Sequence, residues 1–566
     1  MANGFGSLYI GSSGLRNSQN ALNTTANNLA NVNTTGYVRQ QVRFEDKNYT
    51  KLKNPSLNVN MQQSGLGVTI ADVVHARDIF LDKIYRQESG RKEFYSRRYE
   101  VTEYSADLLQ ELHGEEFKQS VTDLWTAVQE YSTKPEISVY QDLVLEKADL
   151  LVTRSQALYS DLKKYQLNIN DQIKEDVDRV NEIGNNIYEL NLQIQKVEAG
   201  GVETAMTLRD VRDNLLDELA TYGRIDVREN ATGFVFVDFE NTPFVDDNRC
   251  YNIALKEDDV TDFYTPYWPQ LSDEDNGQYV SVFVDGQEIS TKRNTDIGSI
   301  KAKLLERGDH YGRKSDLDTE TDYDKIDEST LMKVQAQVDS LFTSIITEMN
   351  DIFCPNIASD TAFTDGTTTY PAGTIILDAD NCAMGVDMQL PPRELFVRKG
   401  TDRYTKVEAT DGKTYFVYNK EIKTVSSTLY QIGNIKINEE LKKQITLMPT
   451  YKANGDVDFE MGQKMAAAWE ELGMKVSPYD ATPCAYEKFY DRIVGELGTI
   501  GNVYQGHVDD LNTSVSSYDN QRQQLTGVSS DEELTKLIRY QAAYNASSRF
   551  ITVISEMTEL IVTGLK

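Results

Sequence analysis

The sequence predicts an elongated, multi-domain α+β chain. Its N- and C-terminal helices pair as a coiled coil, its middle domain is helix-rich, and a β-rich outer region is inserted between the two halves. Three observations predict this. Heptad patterns recur at both chain ends. Two long stretches, 136–242 and 484–566, hold no proline and are free to form long helices. Between them, runs rich in Val, Phe and Tyr lead into Asp-Gly turns, the pattern of hairpins. The boundaries that follow are 1–60 with 515–566 for the inner coiled coil and 61–225 with 430–514 for the helix-rich middle. The β-rich outer region covers 226–429 and includes a helix near 329–353.

At the N-terminus, Leu8, Leu15, Leu22 and Leu29 recur every seven residues, with Phe5, Ser12, Gln19 and Ala26 three residues before each. At the C-terminus, Leu537, Tyr544, Ile551, Thr558 and Leu565 repeat, interleaved with Tyr540, Ser547, Ile554 and Ile561. Ser529 or Ser530 before three acids is a helix start. The N-terminal helix is weak by composition, since residues 5–34 are rich in Gly, Ser, Thr and Asn. Ordering it costs about 1–2 kcal/mol per residue, and each buried Leu returns only about 1.5–3 kcal/mol. It therefore needs a partner helix or neighbouring subunits.

In the first proline-free stretch, apolar residues from Leu158 to Val197 step by three or four, interrupted only by Gly184, and Gly200-Gly201 end the run. Residues 207–220 form a second, shorter helix. Phe234–Phe239 and Tyr279–Val284 read as strands. Lys406–Thr410 and Lys413–Tyr418 form a hairpin around Asp411-Gly412, and 355–374 is loop.

The chain has 58 basic and 89 acidic residues, a net charge of −31. Residues 1–44 carry +3 and residues 531–566 carry −1, so the interior holds −33. That balance argues against a nucleic-acid partner. No apolar run reaches the roughly 18 residues of a membrane span, so no membrane insertion is expected. Residues 1–38 hold one charge, Arg16, and eight Asn, unlike a secretory signal. Four Cys and four His are scattered, so neither a metal site nor a cofactor site is expected. The alternating acids Asp316, Asp318, Glu320, Asp322 and Asp324 are out of register with a calcium loop. Gly65-Leu66-Gly67 lacks the third glycine of a dinucleotide fingerprint. No nucleophile, base and orienting group come together, so no catalytic residue is assigned.

Residues 26–41, ANNLANVNTTGYVRQQ, resemble the N-terminal signature of bacterial flagellar rod, hook and hook-associated proteins. The matching motif residues are Asn27, Asn28, Asn31, Asn33, Gly36, Tyr37, Arg39 and Gln40. Residues 531–557 resemble the family's C-terminal signature, and the Arg39-Gln40 ending is similar to that of members at the hook–filament junction. Thr35 stands where those members often carry Pro. The resemblance implies type III export without a cleaved signal and a non-enzymatic structural role joining hook to filament. It also implies partners: copies of the chain, the hook protein, the second junction protein, and a cytosolic export chaperone on the C-terminal helix. The expected assembly seam is Leu8, Leu15, Leu22, Leu29, Leu537, Tyr540, Tyr544, Ile551, Ile554 and Ile561. Another axial protein, hook or distal rod, is the alternative within the family, and a flagellum-associated protein with an enzymatic insert is the less favoured one.

Overall fold

The structure, a computed structural model, describes residues 2–34, 36–46, 50–51, 63–64, 67–112, 114–200, 204–284 and 286–564. Phe5 lies in helix α1, but its side chain, like Leu565 and Thr35, is outside what is described.

Helix α1 (Ala2–Ala30) lies along the final helix, α12 (Ser530–Gly564). After α1, strand Gln40–Asp46 pairs antiparallel with strand Val68–His75, with a bulge at Arg43/Phe44. α2 (Ile79–Asp107) then enters the body, capped by Asp78, whose carboxylate accepts from the Phe80 and Leu81 amides. It runs beside α11 (Tyr486–Thr526). The proline-free stretch 484–566 is thus two helices. They are separated by Gly527–Ser529, and Ser529 is the α12 cap that accepts from the Glu532 amide.

The long helix exceeds its expected bounds. α4 spans Ser138–Glu198, 61 residues, about 90 Å at 1.5 Å per residue. α3 (Gly114–Thr133) packs along its first half, and α5 (Met206–Tyr222) packs near its end. Gly184 interrupts the apolar row because the Phe244 ring and the Cys250 thiol sit on it. A Cβ there would lie 2.6 Å from Phe244 Cε1 and 2.7 Å from Cys250 Sγ.

α4 also carries asparagines, Asn170 and Asn191 buried and Asn181 half-buried, that act as strand partners for the incoming β segments. Asn191 Nδ2 donates to the Val235 carbonyl at 2.8 Å, and its Oδ1 accepts from the Val235 amide at 3.2 Å. Asn181 grips both backbone groups of Ile253, each at 2.8 Å. Asn170 donates to the Asp262 carbonyl at 3.1 Å and accepts from the Tyr264 amide at 2.8 Å. Each amide satisfies backbone groups that would otherwise be buried and unpaired.

Strands 225–229, 235–239 and 242–245 form an antiparallel meander, and 254–257 pairs with 264–267. The strand expected at 279–284 is not formed. Ser281 makes an isolated bridge to Tyr267, next to Pro266 and Pro269, which have no amide hydrogen to extend a ladder. Short helices α6 (Ser299–Arg307) and α7 (Glu320–Ile326) lead to α8 (Thr330–Phe353), which is buried almost all round. The expected hairpin forms as strands 404–408 and 414–418 in a four-stranded antiparallel sheet with 375–377 and 356–358. Strands 396–398 and 435–437 pair against α4, and α9 (Glu439–Lys443) and α10 (Phe459–Glu470) return the chain to α11. One continuous apolar core runs from Val101 to Leu497. Trp125 and Trp469, far apart in sequence, stack at 5.5 Å within or against it.

The acidic run 316–324 disperses onto separate partners. Asp316 bonds the Arg313 amide and His310, Asp318 bonds Lys423, and Asp322 bonds Thr319 and Lys325. Among the described residues no group of three or more His, Cys, Asp or Glu is placed to hold a metal ion. No described helix is long and apolar enough to cross a membrane.

Candidate functional site: the paired chain ends and their neck

The two chain ends meet along α1 and α12, but α1 is rotated from the leucine-based reading. The side chains buried on α1 are Ser18, Ala21, Thr25 and Asn28, in line with Gly11 and Gly14. A Cβ on Gly11 would lie 2.8 Å from Ile551, and one on Gly14 would lie 2.9 Å from Ser547 Oγ. The line of closest approach is thus a row of small residues, which lets the helix backbones come close. Leu8, Leu15, Leu22 and Leu29 sit beside it, half-buried. On α12 the expected positions face α1. Leu537, Tyr540, Tyr544, Ile551 and Ile554 are half-buried, whereas Ile561 is exposed. The Tyr540 ring meets Phe44 edge-on at 6.1 Å. The reading from heptads followed the large apolar residues, and glycine, serine and alanine carry no such signal.

Asn28 fastens the two ends. Its Nδ2 donates to the Gln40 carbonyl at 2.9 Å and to Glu533 Oε2 at 3.0 Å. Its Oδ1 accepts from the Tyr37 hydroxyl at 2.8 Å and from the Gln40 amide at 3.1 Å. Glu533 is 1% exposed and is also paired with Lys536 at 2.6 Å. Burial, with Asp210 and Glu533 nearby, pushes the Tyr37 hydroxyl up to about 12, so it remains a donor. Asn31 caps the end of α1 through Asn27 and holds Thr34, while Asn27 also reaches the Tyr37 hydroxyl. Gly36 has φ +76 with the Asn214 amide against its Cα, so a side chain here would be strained and crowded. Arg39, 17% exposed, bonds the largely exposed Glu532 at 2.9 Å. Gln40 opens the strand after the motif.

Where the chain passes into the body, three arginines and three aspartates interlock. Arg77 bonds Asp82 and Asp213, and Arg86 bonds Asp217 at 2.6 Å. Arg522, at the end of α11, bonds Asp82 at 2.9 Å and Asp217 at 2.6 Å and lies over the Tyr85 ring at 4.1 Å. Their charges balance, and all six are less than one-fifth exposed. Sequence reasoning missed this knot because its members come from three segments hundreds of residues apart.

The outer faces of the paired ends remain apolar. Ile538 is 66% exposed, Met557 58% and Leu560 74%, and Phe550, Val553 and Val562 are also open. A rod fastened at its root by polar contacts and apolar along its flanks has the character of a structural subunit and not of an enzyme's binding cleft. Comparison with known proteins gives the same class. The N-terminal stretch 8–37 matches the model of the flagella basal body rod protein. Residues 521–563 match the C-terminal model of the flagellar basal body rod FlgEFG proteins, and residues 105–354 match the helical domain of the flagellar hook-associated protein FlgK. The flagellar hook-associated protein 1 of Bacillus subtilis (strain 168) is 24% identical over 97% of this chain and 96% of its own length. That of Salmonella typhimurium is 28% identical over 37% of this chain and 36% of its own. The solved structure of the flagellar hook junction protein FlgK from Burkholderia pseudomallei aligns with a TM-score of 0.48 at 11% identity, covering 78% of this chain and 99% of that one. Over nearly its whole length the chain is similar to flagellar hook-associated protein 1, and it is a structural component of the bacterial flagellum.

Proposed function

We propose that this chain joins hook to filament by packing its α1–α12 rod against neighbouring rods, after export through the flagellar type III apparatus without signal cleavage. The observation that carries this is one rod built from residues more than 500 positions apart, fastened by Asn28 to Glu533 and apolar on its outer flanks. The leucine row at 8, 15, 22 and 29 lies to one side of the intrachain seam, where it is available to a second copy. The neighbours are copies of the chain, the hook protein and the second junction protein. Before export, a cytosolic chaperone covers the α12 face from Leu537 to Ile561, since an open apolar helix aggregates. The role needs no catalysis.

Deletion of the gene, with imaging of the cell surface and assay of the medium, tests this. Bare hooks with filament subunits released into the medium are the expected result. Missing hooks move the chain inward to the rod or hook, and normal filaments overturn the proposal.

A further inference from the structure

The terminal unit touches the body through few side chains. Apart from the chain crossings, where the Arg39 amide donates to the Thr526 carbonyl at 2.8 Å, and from Asn214 lying against Gly36, the described polar contacts gather on Asp210 of α5. Asp210 Oδ2 accepts from the Val38 amide at 3.4 Å. Its Oδ1 faces His75 Nε2 at 3.4 Å, and neither of these two buried atoms has a hydrogen-bond partner among the described residues. Beside them is a polar cavity of about 900 Å³, lined by Asn31, Asn33, Tyr37, Asn214, Asp519 and Gln523. The joint therefore has room to open.

We propose that His75 and Asp210 hold one proton between them, and that this proton is the latch seating the terminal rod on the body. With no proton, a buried carboxylate faces an imidazole lone pair. With two, an imidazolium sits among Arg77, Arg209 and Arg212. One proton satisfies both atoms. The groups facing the pair are Arg77 from the link before α2, Arg209, Arg212 and Asp213 from α5, and Tyr37, itself beside Glu533, from the terminal unit. Burial moves both partners in the matching direction: Asp210 is pushed up to about 7, and His75 is brought down to about 4, the latter helped by the three arginines.

The consequence is a joint insulated from pH. Closed, the pair keeps its one proton between about 4 and about 7. Opened to water, His75 returns to about 6.5 and Asp210 to about 3.9, so the pair still carries one proton over nearly the same range. The proton changes host, not number. Opening therefore varies by only about threefold across this range, rising between about 6.5 and 7. Each partner alone loses this balance. In Asp210→Asn only His75 titrates. Its depressed value makes opening rise about tenfold per unit as pH falls from 6.5 toward 4. In His75→Gln only Asp210 titrates. Its raised value makes opening rise about tenfold per unit as pH climbs from about 4 to 7.

Hydrogen exchange on the full chain reads this at amides 38–40, 75–77 and 526–528, with α4 amides at the same pH as the internal reference. Between pH 5.0 and 6.5 the native chain is expected to change by no more than about threefold. Asp210→Asn is expected to change by about fifteenfold and His75→Gln by about twentyfold, in opposite directions. Flat profiles in both variants, or slopes of the same sign, overturn the latch. So does a native profile that moves tenfold or more, a result read without any substitution.

Discussion

Asn28→Ala is the sharpest test of how the two chain ends are joined. The side chain is 1% exposed and makes four hydrogen bonds, three to neutral groups and one to the Glu533 carboxylate. At about 1 kcal/mol for each neutral bond and about 1.5–3 kcal/mol for the charged one, its loss costs about 4–6 kcal/mol. The cost falls on the α1–α12 contact and not on the body, whose core begins at Val101. Hydrogen exchange on α12 amides 535–550 measures it, and these should lose protection while α4 keeps its own. Asn28→Asp keeps the shape but removes both donors and sets a second carboxylate beside Glu533. Adding Glu533→Gln returns a donor across that contact and should recover part of the loss. Unchanged α12 protection in Asn28→Ala would refute the assignment. An Asn28→Asp/Glu533→Gln chain no better than Asn28→Asp alone would show that the direct Asn28–Glu533 contact is not the fastening.

Three further outcomes are expected. Gly184→Ala drives a methyl into Phe244 and Cys250 and should destabilise the body by about 1–3 kcal/mol, seen as a lower urea midpoint. Arg522→Leu leaves Asp82 and Asp217 short of a cation and should cost about 3–5 kcal/mol, with exchange rising first at the end of α11; a neutral effect would mean the knot is held by Arg77 and Arg86 alone. Leu22→Asp, on the half-buried flank of α1, should leave the body's urea midpoint unchanged but block incorporation into flagella, scored by motility and by surface labelling.

Much of this architecture is legible in the residues. The 3.6-residue period and the missing prolines announce α4, α11 and α12, and Asp411-Gly412 announces its hairpin, because these signals are local. The α1 seam is less legible, since Gly11, Gly14, Ser18 and Ala21 mark a line of contact by being small while the eye follows Leu8 to Leu29. The motif asparagines are recognisable as a set, but only the fold separates Asn28, buried and fourfold bonded, from Asn33, which lines a cavity. His75 meets Asp210, and Arg522 meets Asp82 and Asp217, through tertiary structure alone. Asn170 and Asn191 did leave a trace: poor helix formers in the buried row of an amphipathic helix have to be bonding something.

Asn170, Asn181 and Asn191 have a consequence for how such a chain can change. They stand 11 and 10 residues apart, about 15–17 Å along the α4 axis, and each grips the backbone of the passing strand rather than its side chains. Amide to amide, the grip is blind to sequence. The chain between successive grips can lengthen, shorten or be exchanged while its anchor points stay where they are. α4 is in that sense a mounting rail. A foreign peptide spliced into the exposed turn at Asp259-Val260, between the grips of Asn181 and Asn170, would hang from it without disturbing the rail.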